Sequence, residues 1–426
     1  MNASLNNIEK VKKSLKRRYR FEKIFQAFGV FSISIGLISL LLLLGDNVYK
    51  GHKAFVQNNI ALTIVFDAAE LGITDVNDME QIKSADYTVL LRNALKARFP
   101  DVTERADKKK LFSLLSGVNE YDLQKMVVKK PSLIGQSKEI WLLADDDVDT
   151  YLKHYVGHEQ EFSGLDTKQL EWLHALQQDG KIRTQWNRLF FTAGDSREPE
   201  QAGIRGALAG SFYTLLVTLL LSFPLGVAAA IYLEEFAPKN KWTDFIEVNV
   251  NNLAAVPSII FGLLGLAVFI NFFGVPRSVP LVGGLVLTLM TLPTIIISSR
   301  AAIKSVPPSI REAALGIGAS KMQTVTHHVL PLSMPGMLTG AIIGMARALG
   351  ETAPLLMIGM VAFIVDVPGG VTDPATVLPV QIFLWSDNPE RAFTEKTSAA
   401  ILVLLVFLVL MNTVAIYLRN RMEKRW

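Results

Sequence analysis

The chain has no cysteine among its 426 residues. Disulfides, thiolate nucleophiles and cysteine-ligated metal sites are therefore excluded, and any part lying outside the cytoplasm is held by packing alone. Charge is also scarce. Asp, Glu, Lys and Arg make up 19% of residues, against about 25% in ordinary soluble domains. A formal net charge of +4 gives no case for a nucleic-acid partner, and none is expected. No G-x-x-x-x-G-K-[ST] run occurs, so the chain has no phosphate-cradling loop with which to hydrolyse a nucleotide itself. What remains is divided unevenly: residues 25–44 and most of 207–418 are apolar, whereas 45–205 have an ordinary polar composition.

Crossing about 30 Å of hydrocarbon takes about 20 helical residues at 1.5 Å each. Six stretches qualify, near 25–44, 208–233, 250–273, 279–300, 335–363 and 398–418. The first follows a basic segment, as a signal peptide would. Its apolar core is too long for one, and Gly45-Asp46-Asn47 replaces a small-residue cleavage site, so it reads as a retained anchor. Pro224, Pro257 and Pro293 each interrupt an apolar span.

Lys and Arg in short loops set the expected orientation. The N-terminus carries Lys10, Lys12, Lys13, Lys16, Arg17, Arg18, Arg20 and Lys23; the 234–249 loop Lys239 and Lys241; the 300–331 loop Arg300, Lys304, Arg311 and Lys321; the C-terminus Arg419, Arg421, Lys424 and Arg425. The opposite short loops have only Arg277, Arg391 and Lys396. Both termini are expected inside, the protein multi-pass in a bacterial inner membrane and surrounded by lipid. The 234–249 loop is the weak member, because its acidic residues outnumber its lysines.

Residues 45–205 are then expected outside, in the periplasm, as a domain of mixed α/β or α+β type and unknown fold. Asn59–Phe66 reads as a strand, and 87–99 and 165–178 have helical apolar spacing. Asp145, Asp146, Asp147 and Asp149 form an acidic cluster followed by His154 and His158 four apart. Metal binding is one reading. The other is that the aspartates cap and charge the first turn of a helix beginning near Val148, and Gly157 interrupts the second histidine's position. The second is adopted, and no metal ligand is assigned.

Between the fourth and fifth spans lies IREAALGIGASKMQTVTHHVLPLSMPG. Small residues at Ala313, Ala314, Gly316, Gly318 and Ala319 expose backbone on a short helix and permit close approach by another protein. Gly318 supplies a left-handed stop, and Pro331 and Pro335 restart the chain toward the membrane. The run Glu312-Ala313-Ala314, then Gly318, then Leu330-Pro331 resembles the cytoplasmic signature of ABC importer permeases at every spacing, with His328 replacing its isoleucine. The resemblance implies that 300–331 is a coupling loop whose helix docks on an ATPase subunit through Glu312, Ala313, Ala314 and Gly318.

Within the fifth span, Arg347 stands about 18 Å past Pro335, near mid-bilayer, where an ionised group costs at least about 2.5–3.5 kcal/mol. Glu351, four residues on, shares its helical face, and Gly350 and Pro354 allow a bend beside the pair. Either the two neutralise each other as packing, or they line a translocation route in which Arg347 offers its planar fork to an oxyanion. The string from Ala346 to Leu356, with Gly210-Ser211-Phe212-Tyr213-Thr214, resembles the A-type permeases of bacterial phosphate uptake systems. The similarity covers about 205–426 and the first span; the 45–205 insert is larger than that family's short loop.

The expected architecture is an all-α polytopic membrane protein, the transmembrane domain of a type I ABC importer with about six helices and a large extracytoplasmic insertion. Its parts are a basic cytoplasmic N-terminus (1–24), a first transmembrane helix (25–44), the insert (45–205), a permease core (206–418) and a cytoplasmic tail (419–426). The resemblance implies a transport subunit, not an enzyme. It would bind no cofactor of its own, and ATP and Mg would sit on the partner ATPase. The implied partners are a second homologous permease, a cytoplasmic ATPase dimer and a periplasmic phosphate-binding protein, with Arg347 and Glu351 on the substrate pathway. Two alternatives stay open: a permease for another oxyanion such as molybdate or sulfate, or a secondary transporter with Glu351 as proton carrier. The inverted repeats that would favour the latter are not visible in the hydropathy.

Overall fold

The computed structural model describes residues 2–76, 78–158, 162–361 and 363–422, with backbone alone for 2–13 and 16. Lys424 and Arg425, the side chains of Lys10, Lys12, Lys13 and Lys16, residues 423–426 of the expected tail and Ala362 of the fifth span lie outside the described residues.

Residues 1–50 form a unit by themselves. Residues 2–50 of it belong to a single helix, α1 (Asn2–Gly51), which contains the expected anchor and continues past it, with Lys50 paired to Asp46 at 2.8 Å near its end.

The second unit, 51–426, begins with the insert. Its three strands β1 (Val56–Val65), β2 (Ser137–Leu143) and β3 (Ile182–Trp186) form an antiparallel sheet in the order β2-β1-β3. Register is fixed by pairs such as Leu62 with Ile140 and Asn58 with Thr184. Between β1 and β2 lie α2 (Met79–Ser84), α3 (Thr88–Arg98), α4 (Arg105–Phe112) and α5 (Asn119–Lys129); between β2 and β3 lie α6 (Asp146–His154) and α7 (Thr167–Gln178). Ile60, Ile64 and Phe66 on the sheet and Leu95, Leu111, Leu123 and Leu173 on the helices are at most 1% exposed and share one core. Both expected helices are thus present within two residues of their anticipated ends, and the strand begins three residues before Asn59 and ends one before Phe66.

Helix α6 starts at Asp146, two residues before the anticipated Val148, with the Asp145 carboxylate accepting the Asp147 N–H. It ends at His154, and Gly157 at φ 85° carries His158 off the helix. The four-residue histidine spacing is therefore not a shared helical face.

After α8 (Arg188–Thr192), the segment leading to the bundle packs into it: Phe190, Ala202 and Ile204 share a cluster with Leu378, Trp385 and Phe393. The bundle comprises α9 (Arg205–Ile231), α10 (Lys241–Ala254), α11 (Ser258–Gly265), α12 (Pro280–Lys304), α13 (Pro308–Gly316), α14 (Lys321–Thr324), α15 (Leu330–Gly350), α16 (Ala353–Met357), α17 (Leu378–Ser386) and α18 (Arg391–Met422). Helix α12 is its centre, buried by α9 on one flank and α15 on another.

Among the described residues, five helices are long and apolar enough to span a membrane, or six if the bent pair 241–254 and 258–272 counts as one. Two expected spans need correction. The 250–273 stretch is not one helix: Pro257 cannot continue α10, and the chain turns by 101° into α11. The 335–363 stretch begins earlier, since Pro335 lies inside α15, and ends at Gly350; α16 follows as a separate short helix. Pro224 and Pro293, by contrast, lie within unbroken helices.

Candidate functional site

The loop between α12 and α15 is built from its ends inward. Pro307 caps α13, Pro308 opens it, and Gly318 at φ 91° closes it. The Gly318 N–H donates to the Leu315 carbonyl at 3.0 Å and the Ala319 N–H to the Ala314 carbonyl at 3.1 Å, the paired bonds of a left-handed helix stop. A capping box between Ser320 and Gln323 then starts α14, and a π-type turn over 325–329 passes into α15.

The outward surface of α13 carries Glu312, Ala313 and Leu315, with Ile317 just beyond its end 83% exposed, while Ala314 turns inward and is buried. Gly318 is also exposed. Of the four residues assigned to coupling, three therefore face out, and Ala314 seats the helix. Leu315 and Ile317 were not singled out from the sequence. Two large apolar side chains at an exposed loop tip suit burial by another protein better than contact with water.

Arg311 fixes this tip to the bundle. Its guanidinium donates to Glu235 Oε1 at 2.8 and 3.0 Å and to the Val306 and Ile303 carbonyls at 2.7 and 2.9 Å. Arg300 meets Glu234 and Glu247, each at 2.5 Å, and Lys304 reaches Glu234 at 3.3 Å. The acidic excess of the 234–249 loop thus pairs with the basic excess of the 300–311 loop at one end of the bundle. A charge count alone treats the two loops separately and misses this.

Arg347 lies in the last turn of α15, where a cation faces the negative end of the helix dipole. Glu351 is the first residue past the helix, and the two side chains meet at 3.4 Å. The break expected beside the pair is present: α15 stops at Gly350 and Pro354 opens α16. It is clamped by close packing, because a Cβ on Gly262 of α11 would lie 2.7 Å from Pro354 backbone atoms. The expectation of a mid-bilayer depth assumed that the helix starts at Pro335. With the helix beginning at Leu330, Arg347 stands at its far end. Its side chain is 44% exposed and points away from the bundle core, while Ala348 and Leu349 face inward.

The acidic cluster of the insert separates into two groups. Asp149 accepts from the Asn58 N–H and Nδ2 at 2.8 and 2.9 Å and pairs with Lys153 at 2.5 Å. Lys153 in turn reaches Glu395 of α18 at 3.5 Å, and His154 also bonds Glu395. Lys396, buried beside them, donates to the Ala202 carbonyl at 2.6 Å. These contacts join the insert to the first turns of α18. Asp145, Asp146 and Asp147 form the other group, their carboxylates within 4.8 Å of one another. Burial, with Asp146 adjacent, pushes Asp145 up to about 8, and burial raises Glu200 above the ordinary carboxylate range.

Residues 222–426 match the family described as binding-protein-dependent transport system inner membrane component. Residues 12–161 match a domain of unknown function, DUF3333. A probable ABC transporter permease protein, YqgI of Bacillus subtilis (strain 168), is 33% identical over 250 residues, 55% of this chain and 84% of that protein. Phosphate transport system permease protein PstA 1 of Mycobacterium tuberculosis (strain ATCC 25618 / H37Rv) is 31% identical over 223 residues, 52% of this chain and 71% of that one. Among solved structures, the inward-facing MetNI methionine ABC transporter aligns with a TM-score of 0.42 at 19% identity, covering 50% of this chain and 95% of that chain.

Proposed function

This chain belongs to the binding-protein-dependent family of ABC importer permeases, and on that premise we propose that it carries inorganic phosphate inward across a bacterial inner membrane, with both termini and α13 in the cytoplasm. The insert then lies in the periplasm. Phosphate is favoured because phosphate transport permeases stand among the relatives and because an arginine fork recognises oxyanions bidentately.

The observation that carries the substrate reading is Arg347. A guanidinium offers five N–H donors that lipid tails cannot satisfy. The outward, 44% exposed side of Arg347 therefore calls for cover by a second permease subunit, with a wet route between the two. The 3.4 Å contact to Glu351 is long for an ion pair and leaves most of the fork available. Glu351 lowers the net attraction, so an arriving anion is held briefly and released.

Energy would come from an ATPase dimer that binds ATP and Mg and receives α13 in a cleft. Its closure would displace the tip formed by Leu315 and Ile317. Through Arg311 the push passes to the end of α9 at Glu235 and to the end of α12 at the Ile303 carbonyl. Helix α12 packs on α15, at whose far end the Arg347–Glu351 pair sits. Alternating access follows from a shift of these packed helices as rigid bodies. A periplasmic binding protein would deliver the phosphate.

The test is uptake of radiolabelled phosphate into proteoliposomes holding the complete importer. Arg347→Gln is expected to cut uptake by about 10–100-fold, the worth of a charge-assisted hydrogen bond, while the subunits still co-purify. Undiminished uptake would remove Arg347 from the route. Preference of the intact importer for molybdate or sulfate would move the substrate to another oxyanion.

A further inference from the structure

The base of the insert carries a layer of aromatic rings. Asn187 assembles it: its N–H donates to the Phe55 carbonyl at 2.8 Å, its Nδ2 to the Ala54 carbonyl at 3.0 Å, and its Oδ1 accepts the Phe190 N–H at 3.0 Å. These bonds bring together the chain entering β1, the end of β3 and the start of α8. Phe55, Trp186 and Phe191 then lie parallel to within 10°, with all three pairs of ring centroids 5.8–5.9 Å apart. Equal spacing means that no ring lies between the other two, so they form a layer and not a column. Phe190 stands edge-on to Phe55 and Phe191 and is fully buried.

The outer side of the layer is open. Trp186 is 58% exposed and Phe191 39%, and the Trp186 indole N–H has no partner among the described residues. Arg188, two residues along the chain from Trp186, is exposed and has no ion-pair partner among the described residues. Clustered open rings of this kind mark a contact surface.

The inner side shows what the outer side meets. Phe55 and Phe190 pack in a cluster that includes Ala207 and Leu208 of α9 and Ala399 and Ala400 of α18. Those residues open the apolar runs of both helices, each long and apolar enough to cross a membrane. A Cβ on Gly51, just before the layer, would lie 2.7 Å from the Ala399 nitrogen, so the chain enters the insert pressed against α18. The layer is therefore level with the points where α9 and α18 enter hydrocarbon, and unbroken apolar contact joins it to both. At that depth Trp rings concentrate, their apolar bodies toward the acyl chains and their N–H groups toward the headgroups.

We infer that Phe55, Trp186 and Phe191 form a membrane-interface contact. The base of the insert rests on the phospholipid leaflet that α9 and α18 enter, and the Trp186 N–H and the Arg188 guanidinium donate to headgroup oxygens. Packing holds the insert at two spanning helices and lipid holds it at a third place, so it does not swing freely about its connections. This holds wherever α9 and α18 span the bilayer, whichever oxyanion the chain carries.

The full chain in lipid nanodiscs supplies the test. Tryptophan emission is recorded for the wild type and for Trp186→Phe, and the difference isolates Trp186. In discs of lipid brominated near the carbonyl end of the acyl chain, that signal is expected to lose most of its intensity. Lipid brominated near the methyl end should quench it less, and aqueous iodide should scarcely reach it. Because the chain has no cysteine, Phe191→Cys carrying a nitroxide gives a second depth reading should Trp186→Phe fail to fold. Molecular oxygen, which partitions into lipid, should then relax the label more strongly than a water-soluble nickel chelate. A Trp186 signal quenched by iodide and indifferent to brominated lipid, or a nitroxide that favours the nickel chelate, would overturn the inference. Shielding from iodide that appeared only on adding the second permease or the loaded binding protein would overturn it too, and would assign the layer to a protein contact.

Discussion

The insert and the helical bundle dispose of their apolar side chains in opposite ways. In the insert, Ile60, Ile64, Phe66, Leu95 and Leu111 vanish into one core at 0–1% exposure. The sheet and the helices around it need nothing further to cover them. In the bundle, α12 is buried but its neighbours are not: Leu220 on α9 and Val409 on α18 are 62% exposed, and Leu410 is 59% exposed. In water such surface would be a liability. In a membrane it costs little, because lipid is as apolar as leucine. Within the bundle, large exposed side chains lie both on the long apolar helix α18 and at Ile317 of the α13 loop, the latter forming a docking surface on the function proposed above.

The treatment of charge differs as well. At the α13 end of the bundle, Arg300 and Arg311 are matched by Glu234, Glu235 and Glu247. At the seam of the insert, Asp149 and Glu395 are matched by Lys153 and His154, whereas Asp145, Asp146 and Glu200 have no ion-pair partner among the described residues.

Four substitutions would break or sharpen this contrast. The largest effect is expected in the core of the insert, where Phe66→Ala removes a fully buried ring and should cost about 3–5 kcal/mol; Leu410→Ala on the exposed face of α18 should stay within about 0.5 kcal/mol. Unfolding of both variants in the same detergent, followed by tryptophan fluorescence, compares them, and equal losses would erase the distinction between the two regions. Next, Gly318→Asp places an L side chain at φ 91°, a strain of about 1–2 kcal/mol, at the stop of the docking helix. Stimulation of ATP hydrolysis by the loaded binding protein is expected to fall about 5–30-fold while assembly persists. Unchanged stimulation would separate α13 from coupling.

The smallest effect is expected at the surface of the insert. Asp166 caps α7 in a capping box with Gln169, and its hydrogen bond from Lys110 holds its carboxyl below the ordinary range. Asp166→Ala should cost about 0.5–2 kcal/mol. Because the folded pKa is depressed, the carboxylate's contribution is complete above the unfolded value of about 3.9 and is lost as pH falls through the lower folded value. The difference in melting temperature between wild type and variant should therefore be constant from pH 6 to 8 and narrow below about pH 4. A gap that held steady down to pH 3 would show that ionisation adds nothing to the cap.

Much of this was legible because it is local. Length and apolarity marked α9, α12 and α18; Gly318 marked its own left-handed stop; Gly350 and Pro354 marked the break beside Arg347. The 101° turn at Pro257 was not separable from the breaks feared at Pro224 and Pro293. A proline within an apolar run either ends a helix or is absorbed by its neighbours, and only packing decides which. The start of the helix carrying Arg347 was misplaced for a similar reason, since Pro335 reads as a start yet lies inside a continuous helix. Glu200 gave no signal at all.

The sequence alone determined the membrane class, the existence of an inserted domain with a central strand, and the left-handed stop of the α13 loop, because each is written in neighbouring residues through hydropathy, alternation and backbone preference. Tertiary structure alone decided that Arg347 points away from the bundle core, that the acids of one loop pair with the bases of another, and that Glu200 is buried against Ser116. Those outcomes depend on distances between residues far apart along the chain, which are set by how sheet and helices pack and by nothing that a window of sequence contains.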